Sequence, residues 1–476
     1  MSFVLSNAVD TSKVFLAKQS QLESRWDPNY YRYMRVFREK IKNSPFPIER
    51  LKRSLTLVQY GISERATEEP VGVAMLRMIN LQEYTWDLSS LKYLPMTEKE
   101  KKPYLLKHGD ILFNRTNSKE LVGKCNVFNL LDEYVFASYL IRVRLKRGTL
   151  LPEYVTAFLS SSLGRIQIDA VSRQIAGMTN INAEEIRDFY IPALDEKSQK
   201  KVVETWHAAI EKRDKILAKA HKILTSIDDV LLAELGIPQK PESTNTIESR
   251  IFRRAFSRVT GNRIDPAANW KKLSFENNKY PLCKLCDIVA LNPATRFSNL
   301  NESNVVSFVP MDAVSEIFGD ISYIQTRPIR ESGNYTIFQE GDIIWAKITP
   351  CMENGKSAIA RGLESGYGYG STEFHVFRPK TYDLSVVFLH HLLRLQIVRQ
   401  HARLYFTGSS GHQRVDEQFF YHLEIPFPPV AVQERIASIA DDKIAHAREL
   451  FAEANAELEN AKQEIESLIL GKGNIK

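Results

Sequence analysis

The sequence predicts an α+β protein. Two similar mixed α/β domains stand in tandem, each followed by a long helix, and the two helices pair as an antiparallel coiled coil about a pseudo-two-fold axis. Three observations predict this: a set of short motifs that recurs at a nearly constant offset, β-rich runs that follow Gly-Asp turns, and a four-heptad apolar stripe after each set of motifs. A chain of 476 residues also exceeds what one ordinary core organises, and points to two to four domains.

The duplication comes first. "GDILFNR" begins at Gly109 and "GDIIWAK" at Gly341, and each is followed by a Gly-Lys pair, Gly123-Lys124 and Gly355-Lys356. "FPIERL" at Phe46 aligns with "YPLCKL" at Tyr280, and "VAMLRM" at Val73 with "VSFVPM" at Val306. "ASYLIRV" at Ala137 aligns with "GSTEFHV" at Gly370, Ile191-Pro192 with Ile425-Pro426, and Gln199 with Gln433. The offsets stay between 232 and 234 over some two hundred residues, which is an internal duplication. A period this long makes each copy a whole domain with its attachments.

Within each copy, Ile111-Leu112-Phe113 and Ile343-Ile344-Trp345 read as short strands after Gly-Asp turns. "EYVTAFLSSSLGRIQIDAV" and "SVVFLHHLLRLQIVRQHA" each read as one amphipathic helix laid on the sheet. The heptads follow. In the first copy Val203, Ile210, Leu217, Leu224 and Leu231 recur every seven residues, with Ala220 and Ile227 three positions on. In the second the series is Ala437, Ile444, Phe451, Leu458 and Ile465, with Ala440, Ala447, Ala454, Ala461 and Leu468 three on. Apolar a and d positions over four heptads signal a coiled coil, and the alanines permit close approach. Gly236 and Gly471 supply the expected stops. Helices of about forty residues span roughly 60 Å. The expected boundaries are 1–194 for the first domain with an extension over 1–45, and 195–236 for the central helix. Residues 237–430 hold a linker and the second domain, and 431–476 the C-terminal helix.

Composition narrows the function. Hydrophobic content of 43% and charged content of 25% are ordinary for a globular protein. No apolar run is long enough to cross a membrane, the N-terminus lacks the pattern of a secretory signal, and four cysteines point to a reducing compartment, so a cytoplasmic location is expected. The net charge of +7 is clustered: Arg50, Lys52 and Arg53; Arg142, Arg144, Lys146 and Arg147; Arg250, Arg253, Arg254 and Arg258; Arg394, Arg399 and Arg403. Such clusters fit a polyanionic partner.

Catalytic patterns are weak. "NGKS" at Asn354 lacks the glycine of a phosphate loop, since Pro350 stands five residues before the Gly-Lys pair, and Gly123-Lys124 is followed by Cys125. "DPNYY" at Asp27 is similar to an amino-methylation motif but lacks its second proline. Cys283 and Cys286 form a lone C-x-x-C without a second ligand pair, so no metal is expected. His390-His391 lies in a largely apolar helical run and reads as packed or surface histidine.

Taken in order, these motifs resemble the specificity (S) subunit of a Type I restriction-modification enzyme. The resemblance rests on the doubled "GDI" strands with their Gly-Lys, on "GSTEFHVFRP" at Gly370, on "TGSSGHQRVDEQFF" leading into "IPFPPVAVQERI", and on the heptad helix after each copy. The first copy departs from it: "IPALDEKSQKKV" lacks the double proline, and "AGMTNIN" is a shorter loop. The resemblance implies two target-recognition domains that read the halves of a split site in double-stranded DNA, and helices that act as a spacer. It implies two methyltransferase (M) subunits docked on those helices and restriction (R) subunits beyond them. S-adenosylmethionine, ATP and magnesium are then expected on the partner subunits, no cofactor on this chain, and no catalytic residue in it.

Lys and Arg serve phosphates and guanine, and Asn and Gln suit adenine. Polar residues after the doubled strands and in the Gly-rich loops are therefore the expected DNA contacts. In the first copy these are Asn114, Arg115, Thr116, Asn117, Lys124, Thr179 and Asn180. In the second they are Lys347, Thr349, Lys356, Ser409, Ser410, His412, Gln413 and Arg414. The expected helix-pairing residues are Ile210, Leu217, Leu224, Leu231, Ile444, Phe451, Leu458 and Ile465. Gly109 and Gly341 with Asp110 and Asp342 are expected to form turns rather than to read bases. Two other readings stay open on sequence: a coiled-coil scaffold that binds RNA or anionic protein, and a self-contained DNA modification enzyme.

Overall fold

The structure, a computed structural model, describes residues 14–16, 22, 26–82, 84–119, 121–175, 178–237, 251, 253, 275, 279–409 and 412–472. Ser410 and the basic residues Arg250, Arg254 and Arg258 lie outside them. The chain divides into two compact units. Unit 1 comprises Met1–Leu217 and Ala452–Lys476, and unit 2 comprises Ala218–Phe451. Both long helices, Glu196–Glu234 (the central helix) and Val430–Ile469 (the C-terminal helix), therefore give one half to each unit.

The strands of unit 1 are β1 (Ile48–Arg50), β2 (Leu55–Tyr60), β3 (Val73–Leu76), β4 (Lys92–Leu94), β5 (Ile111–Asn114), β6 (Thr116–Asn117), β7 (Cys125–Val127), β8 (Tyr134–Phe136), β9 (Leu140–Leu145), β10 (Arg173–Ile175), β11 (Met178–Asn180) and β12 (Tyr190–Pro192). The principal sheet has the order β2-β9-β5-β7, antiparallel throughout. A second sheet, β4-β3-β8, pairs β3 with β8 in parallel. β5 is a run of buried residues because both its faces are covered. Ile111 and Phe113 enter the main core with the helices, and Leu112 enters the core shared with Leu76 and Phe136.

Unit 2 repeats this plan with β13 (Leu282–Lys284), β14 (Val289–Leu291), β15 (Val305–Val309), β16 (Gln325–Pro328), β17 (Thr336–Gln339), β18 (Ile343–Ala346), β19 (Ser357–Ile359), β20 (Tyr367–Gly370), β21 (Phe374–Pro379), β22 (Phe406–Thr407), β23 (Arg414–Val415) and β24 (Glu424–Pro426). Its principal sheet runs β14-β21-β18-β19, and its second runs β16-β15-β20-β17 with β15 parallel to β20. Register is repeated to the residue. Ile48 pairs with Pro192 as Leu282 pairs with Pro426, and Ile111 with Val143 as Ile343 with Phe377.

Each "GDI" motif is a structural device. Gly109 and Gly341 sit at φ +87° and +84°, a conformation that favours glycine. The following aspartate is 1% exposed in both units. Asp110 accepts from Lys107 N at 2.8 Å and takes both Arg144 Nε (2.6 Å) and Nη2 (2.7 Å). Asp342 accepts from Gln339 N at 2.8 Å and takes Arg378 Nε (2.8 Å) and Nη2 (2.7 Å). The repeated glutamine has an equally specific place. Gln199 accepts from Leu151 N and donates to Leu194 O; Gln433 accepts from Ser385 N and donates to Pro428 O. Each buried amide thus ties the start of a long helix to the start of the helix at Pro152 in unit 1 and at Val386 in unit 2.

The single amphipathic helix expected in each domain is two helices. In unit 1, Pro152–Ser160 is followed by Ser162–Val171; in unit 2, Val386–Arg394 is followed by Gln396–Ala402. The breaks fall at Ser161 (φ −72°, ψ 169°) and Leu395 (φ −50°, ψ 136°), whose backbones are extended. Ser161 Oγ donates to Phe158 O and caps Gly164 N, so it ends one helix and starts the next. A carboxylate from a long helix meets each second helix at its first amide. Glu466 Oε1 accepts from Ser162 N at 2.5 Å in unit 1, and Asp228 Oδ2 from Gln396 N at 2.6 Å in unit 2.

In unit 1 the first half of the central helix runs antiparallel to the last part of the C-terminal helix. Lys212 pairs with Glu457 at 2.6 Å, and Val202, Trp206 and Ala209 share a core with Leu458, Ala461, Ile465 and Leu468. In unit 2 the remaining halves meet in the same sense, with Arg435 on Glu234 (2.7 Å), Lys443 on Ser226 (3.1 Å) and His221 against Phe451. Ala440, Ala447 and Ala454 are fully buried, as the close-approach reading requires. In the first part of the central helix the apolar column lies one residue earlier than the heptad count gives. Val202, Ala209 and Ile216 are buried, whereas Ile210, Leu217 and Leu224 are half-buried at its edge; Ala220 is buried on the expected count. A helix of 3.6 residues per turn drifts about 20° per heptad against a 3.5 repeat, so one apolar file cannot stay centred over four heptads. Leu231, Leu458 and Ile465 are buried, and Ile444 and Phe451 half-buried.

Candidate nucleic-acid interface

The charge clusters are the first place to look, and burial or ion pairing within the fold engages many of their members. Arg142 is 2% exposed, donates to Leu105 O and Pro103 O, and lies over the Phe136 ring. Arg144 is bound to Asp110, Arg50 and Lys52 both meet Asp188, and Arg53 meets Glu49. Burial pushes the Arg394 guanidinium down to about 10; it donates to Gly355 O and Glu316 O. Arg399 lies beside it, and Arg403 pairs with Glu353. The buried and half-buried members among them are bound within the fold. The sequence showed their sign but not their partners.

The ends of the "GDI" strands are different. Just after β5, Arg115 N donates to Tyr139 O, and Arg115 O accepts from Ile181 N. Just after β18, Lys347 N donates to Glu373 O, and Lys347 O accepts from Val415 N. A hairpin joins each strand end: β10 with β11 in unit 1, where β11 also pairs with β6, and β22 with β23 in unit 2, where Arg414 bridges to Ile348. Each unit therefore gathers three segments at one place: the strand end, the loop before β9 or β21, and the hairpin. Residues 115, 139 and 180 in unit 1 match 347, 373 and 414 in unit 2.

The nominated residues divide on this geometry. Arg115 is half-buried, donates from Nε to Ile181 O, and stands 5.0 Å from the Tyr60 ring. Asn117 and Asn180 are half-buried in the same sheet, and Thr116 Oγ1 donates to Asn180 Oδ1 at 3.3 Å. Lys124 is half-buried beside the strand, its carbonyl accepting from Asn114 N. Asn114 and Thr179 are interior, at 1% and 2% exposure, and present no edge to a ligand. Thr116, at 9%, presents little. Asn114 is the last residue of a strand covered on both faces, and its amide nitrogen turns to Leu121 O.

In unit 2, Lys347, Thr349 and Gln413 are half-buried, and Thr349 N donates to Gln413 O at 3.0 Å. Ser409 and His412 are exposed in the hairpin loop. Lys356 is committed elsewhere, since its Nζ donates to Met311 O at 3.1 Å. The Gly-Lys pair thus braces a loop. Arg414 is 43% exposed and bound to Glu373 through two bonds, which hold that carboxyl below the usual range and raise the guanidinium. Tyr139, 51% exposed, and Glu373 were missed by sequence reasoning. The constant offset could have found them, because they occupy one matched position before the β9 and β21 strands.

Among the described residues no group of three or more His, Cys, Asp or Glu is placed to hold a metal, and no helix is long and apolar enough to cross a membrane. His390 and His391 are interior, against Ser357 and Asp441 respectively. Asp27 is the N-cap of α1 (Pro28–Ile41), so "DPNYY" is a helix start.

Residues 277–460 match the family model for the Type I restriction modification DNA specificity domain. Over that stretch the chain is similar to this family. The specificity subunit of the Type I restriction enzyme EcoEI from Escherichia coli is 29% identical over 242 residues, covering 49% of this chain and 40% of that protein. The EcoAI specificity subunit, also from Escherichia coli, is 29% identical over 285 residues, covering 56% of this chain and 48% of that protein. The chain spans less than half the length of these two relatives. A putative specificity subunit, MjaX from Methanocaldococcus jannaschii, is 20% identical over 440 residues, covering 90% of this chain and 94% of that protein. Among solved structures, a chain of a type I R-M system aligns at 13% identity over 90% of this chain and 99% of its own, with TM-score 0.47. The HsdS subunit from Thermoanaerobacter tengcongensis aligns at 14% identity with TM-score 0.34, over 90% of this chain and 98% of its own. The specificity domain so matched contains the whole strand-end surface of unit 2.

Proposed function

We propose that this chain is the sequence-specific DNA-binding subunit of a Type I restriction-modification complex, that it reads a split target in double-stranded DNA, and that it performs no catalytic step. One observation carries the reading: the same strand-end and hairpin surface is built twice on one chain, with different side chains at matched positions. Two similar scaffolds with different readers suit two half-sites of different sequence. In this reading the long helices are the spacer between half-sites and the docking surface for two methyltransferase subunits, with restriction subunits beyond. S-adenosylmethionine, ATP and magnesium belong to those partners. The family match over residues 277–460 supports the DNA-recognition part of the proposal.

Selection from randomised duplexes by the full chain with its methyltransferase partner tests it. The expected product is two fixed half-sites separated by a gap of fixed length. Mapping methylated adenines in host DNA with and without this gene should return the same sequence. Binding without sequence selection, or binding to RNA in preference to duplex DNA, would favour a scaffold instead. S-adenosylmethionine binding by the purified chain would favour a self-contained enzyme.

A further inference from the structure

The matched positions at the two strand ends differ in kind. Unit 1 presents Arg115, Tyr139 and Asn180, and unit 2 presents Lys347, Glu373 and Arg414. Resting on the reading that this surface meets DNA, we propose that Arg414 is a guanine-reading residue of unit 2 and that Glu373 is its positioning residue.

The hydrogen-bond geometry carries the argument. Arg414 Nε donates to Glu373 Oε2 at 2.8 Å and Nη2 donates to Oε1 at 2.7 Å, a parallel two-bond pair along one side of the guanidinium. Nη1 donates to His412 O at 3.0 Å. A guanidinium has five N–H bonds in one plane. These contacts use three of them and leave two, one on each terminal nitrogen. The Arg414 side chain is 43% exposed, and the unused pair is assigned to the ligand. Guanine offers two acceptors, O6 and N7, side by side in the major groove, and two parallel N–H donors match them. Adenine places a donor where guanine has O6, and neither pyrimidine offers that acceptor pair.

Glu373 supplies what a free arginine lacks. A long side chain that must be immobilised on binding loses rotamer entropy, and the fork is better organised in advance. The backbone of Glu373 is itself held: its carbonyl accepts from Lys347 N at 2.9 Å, and its amide donates to Ser371 Oγ at 3.2 Å. On the other side Arg414 is fixed by its pairing with Thr407 in the hairpin and by its bridge to Ile348. The pair is also neutral. It adds little general attraction to phosphates, a task left to Lys347 beside it, and contributes selectivity. Unit 1 has neither partner, since Tyr139 and Asn180 stand at the matched positions, so this reader serves one half-site alone.

The test uses the full chain with its methyltransferase partner and selection from randomised duplexes. Arg414→Lys keeps the charge and loses the fork; Glu373→Gln keeps the shape and weakens the hold. We expect Arg414→Lys to lower the preference for guanine at one position of one half-site by about ten- to a hundredfold. Glu373→Gln should lower it less at the same position. The other half-site and the salt dependence of Arg414→Lys should stay as in the wild type. Wild-type guanine weight at every position in both variants would overturn the inference while leaving the specificity-subunit reading intact. Loss of both half-sites together with a lowered melting temperature would also overturn it, because the pair would then hold the fold rather than read. If the wild-type chain selects no split sequence, it is the wider reading that fails.

Discussion

Removing the carboxylate at the start of each "GDI" strand should destabilise both units, and unit 1 the more. Asp110 is 1% exposed, faces Arg144 through two bonds of 2.6 and 2.7 Å, and has Arg142 Nη1 at 3.9 Å. Asp342 faces Arg378 alone, since Val376 holds the strand position that Arg142 holds in unit 1. Breaking a buried ion pair by deleting one partner costs about 3–5 kcal/mol, because the other charge remains uncompensated. The lost bond to Lys107 N or Gln339 N adds about 1 kcal/mol. Asp110→Ala and Asp342→Ala should therefore each cost about 4–6 kcal/mol. In unit 1 the like charges of Arg142 and Arg144 put the effect at the upper end. For a unit of this size that is a fall of about 10–20 °C in melting temperature. A chain of two units need not unfold in one step. Hydrogen exchange read by peptide is thus the suitable assay, with β5 and β9 reporting unit 1 and β18 and β21 reporting unit 2. A change below about 1 kcal/mol in either variant, or equal loss of protection in both units from one variant, would refute this account of the motif.

Three further outcomes follow from the same contacts. Ile216→Ala should cost about 2–5 kcal/mol by equilibrium urea unfolding and Leu217→Ala about 1, because the first is buried in the helix column and the second lies at its edge; the reverse order would restore the simple heptad count. Lys347→Ala should reduce the slope of log K against log salt by about one, while Lys356→Ala, whose ammonium is bound to Met311 O, should leave it unchanged. Burial pushes His390 well below its ordinary range and His375 below it, so each takes up a proton at lower pH in the folded chain than in the unfolded chain, which protonates near pH 6.5. The stability of unit 2 should be flat above about pH 6.5 and fall as pH drops below it, and His390→Gln should lessen that fall in denaturation curves at pH 7.5 and 5.0.

Much of the fold was legible because it obeys short-range rules. Glycine at positive φ before a buried aspartate, apolar runs covered on both faces, and a glycine at the end of each long helix all leave marks within a few residues. The helix column was read one residue late because a seven-residue count approximates a 3.6-residue helix, and over four heptads the error approaches one position. The break at Ser161 was missed because "SSSLG" carries an N-cap serine inside a continuous apolar period. Charge misled most. Arg142, Arg144 and Arg394 look like surface cations in a one-dimensional reading, and only long-range pairing with Asp110, Leu105 O and Gly355 O shows that Arg142 is buried and that Arg144 and Arg394 are half-buried and bound within the fold.

The candidate interface was only half legible, and the reason lies in what the duplicated scaffold keeps and where the two copies differ. The two copies agree where the scaffold makes demands: Asp110 with Asp342, Arg144 with Arg378, Gln199 with Gln433. They differ where the strand end, the loop and the hairpin converge, at 115 and 347, 139 and 373, 180 and 414. A search for repeated motifs finds the first set by construction and passes over the second. The backbone bonds supply the missing step. Arg115 N reaches Tyr139 O just as Lys347 N reaches Glu373 O, so residues with no chemical likeness occupy one geometric position. Repetition marks the frame, and departure from repetition inside that frame marks the side chains that, in the proposed reading, tell one half-site from the other.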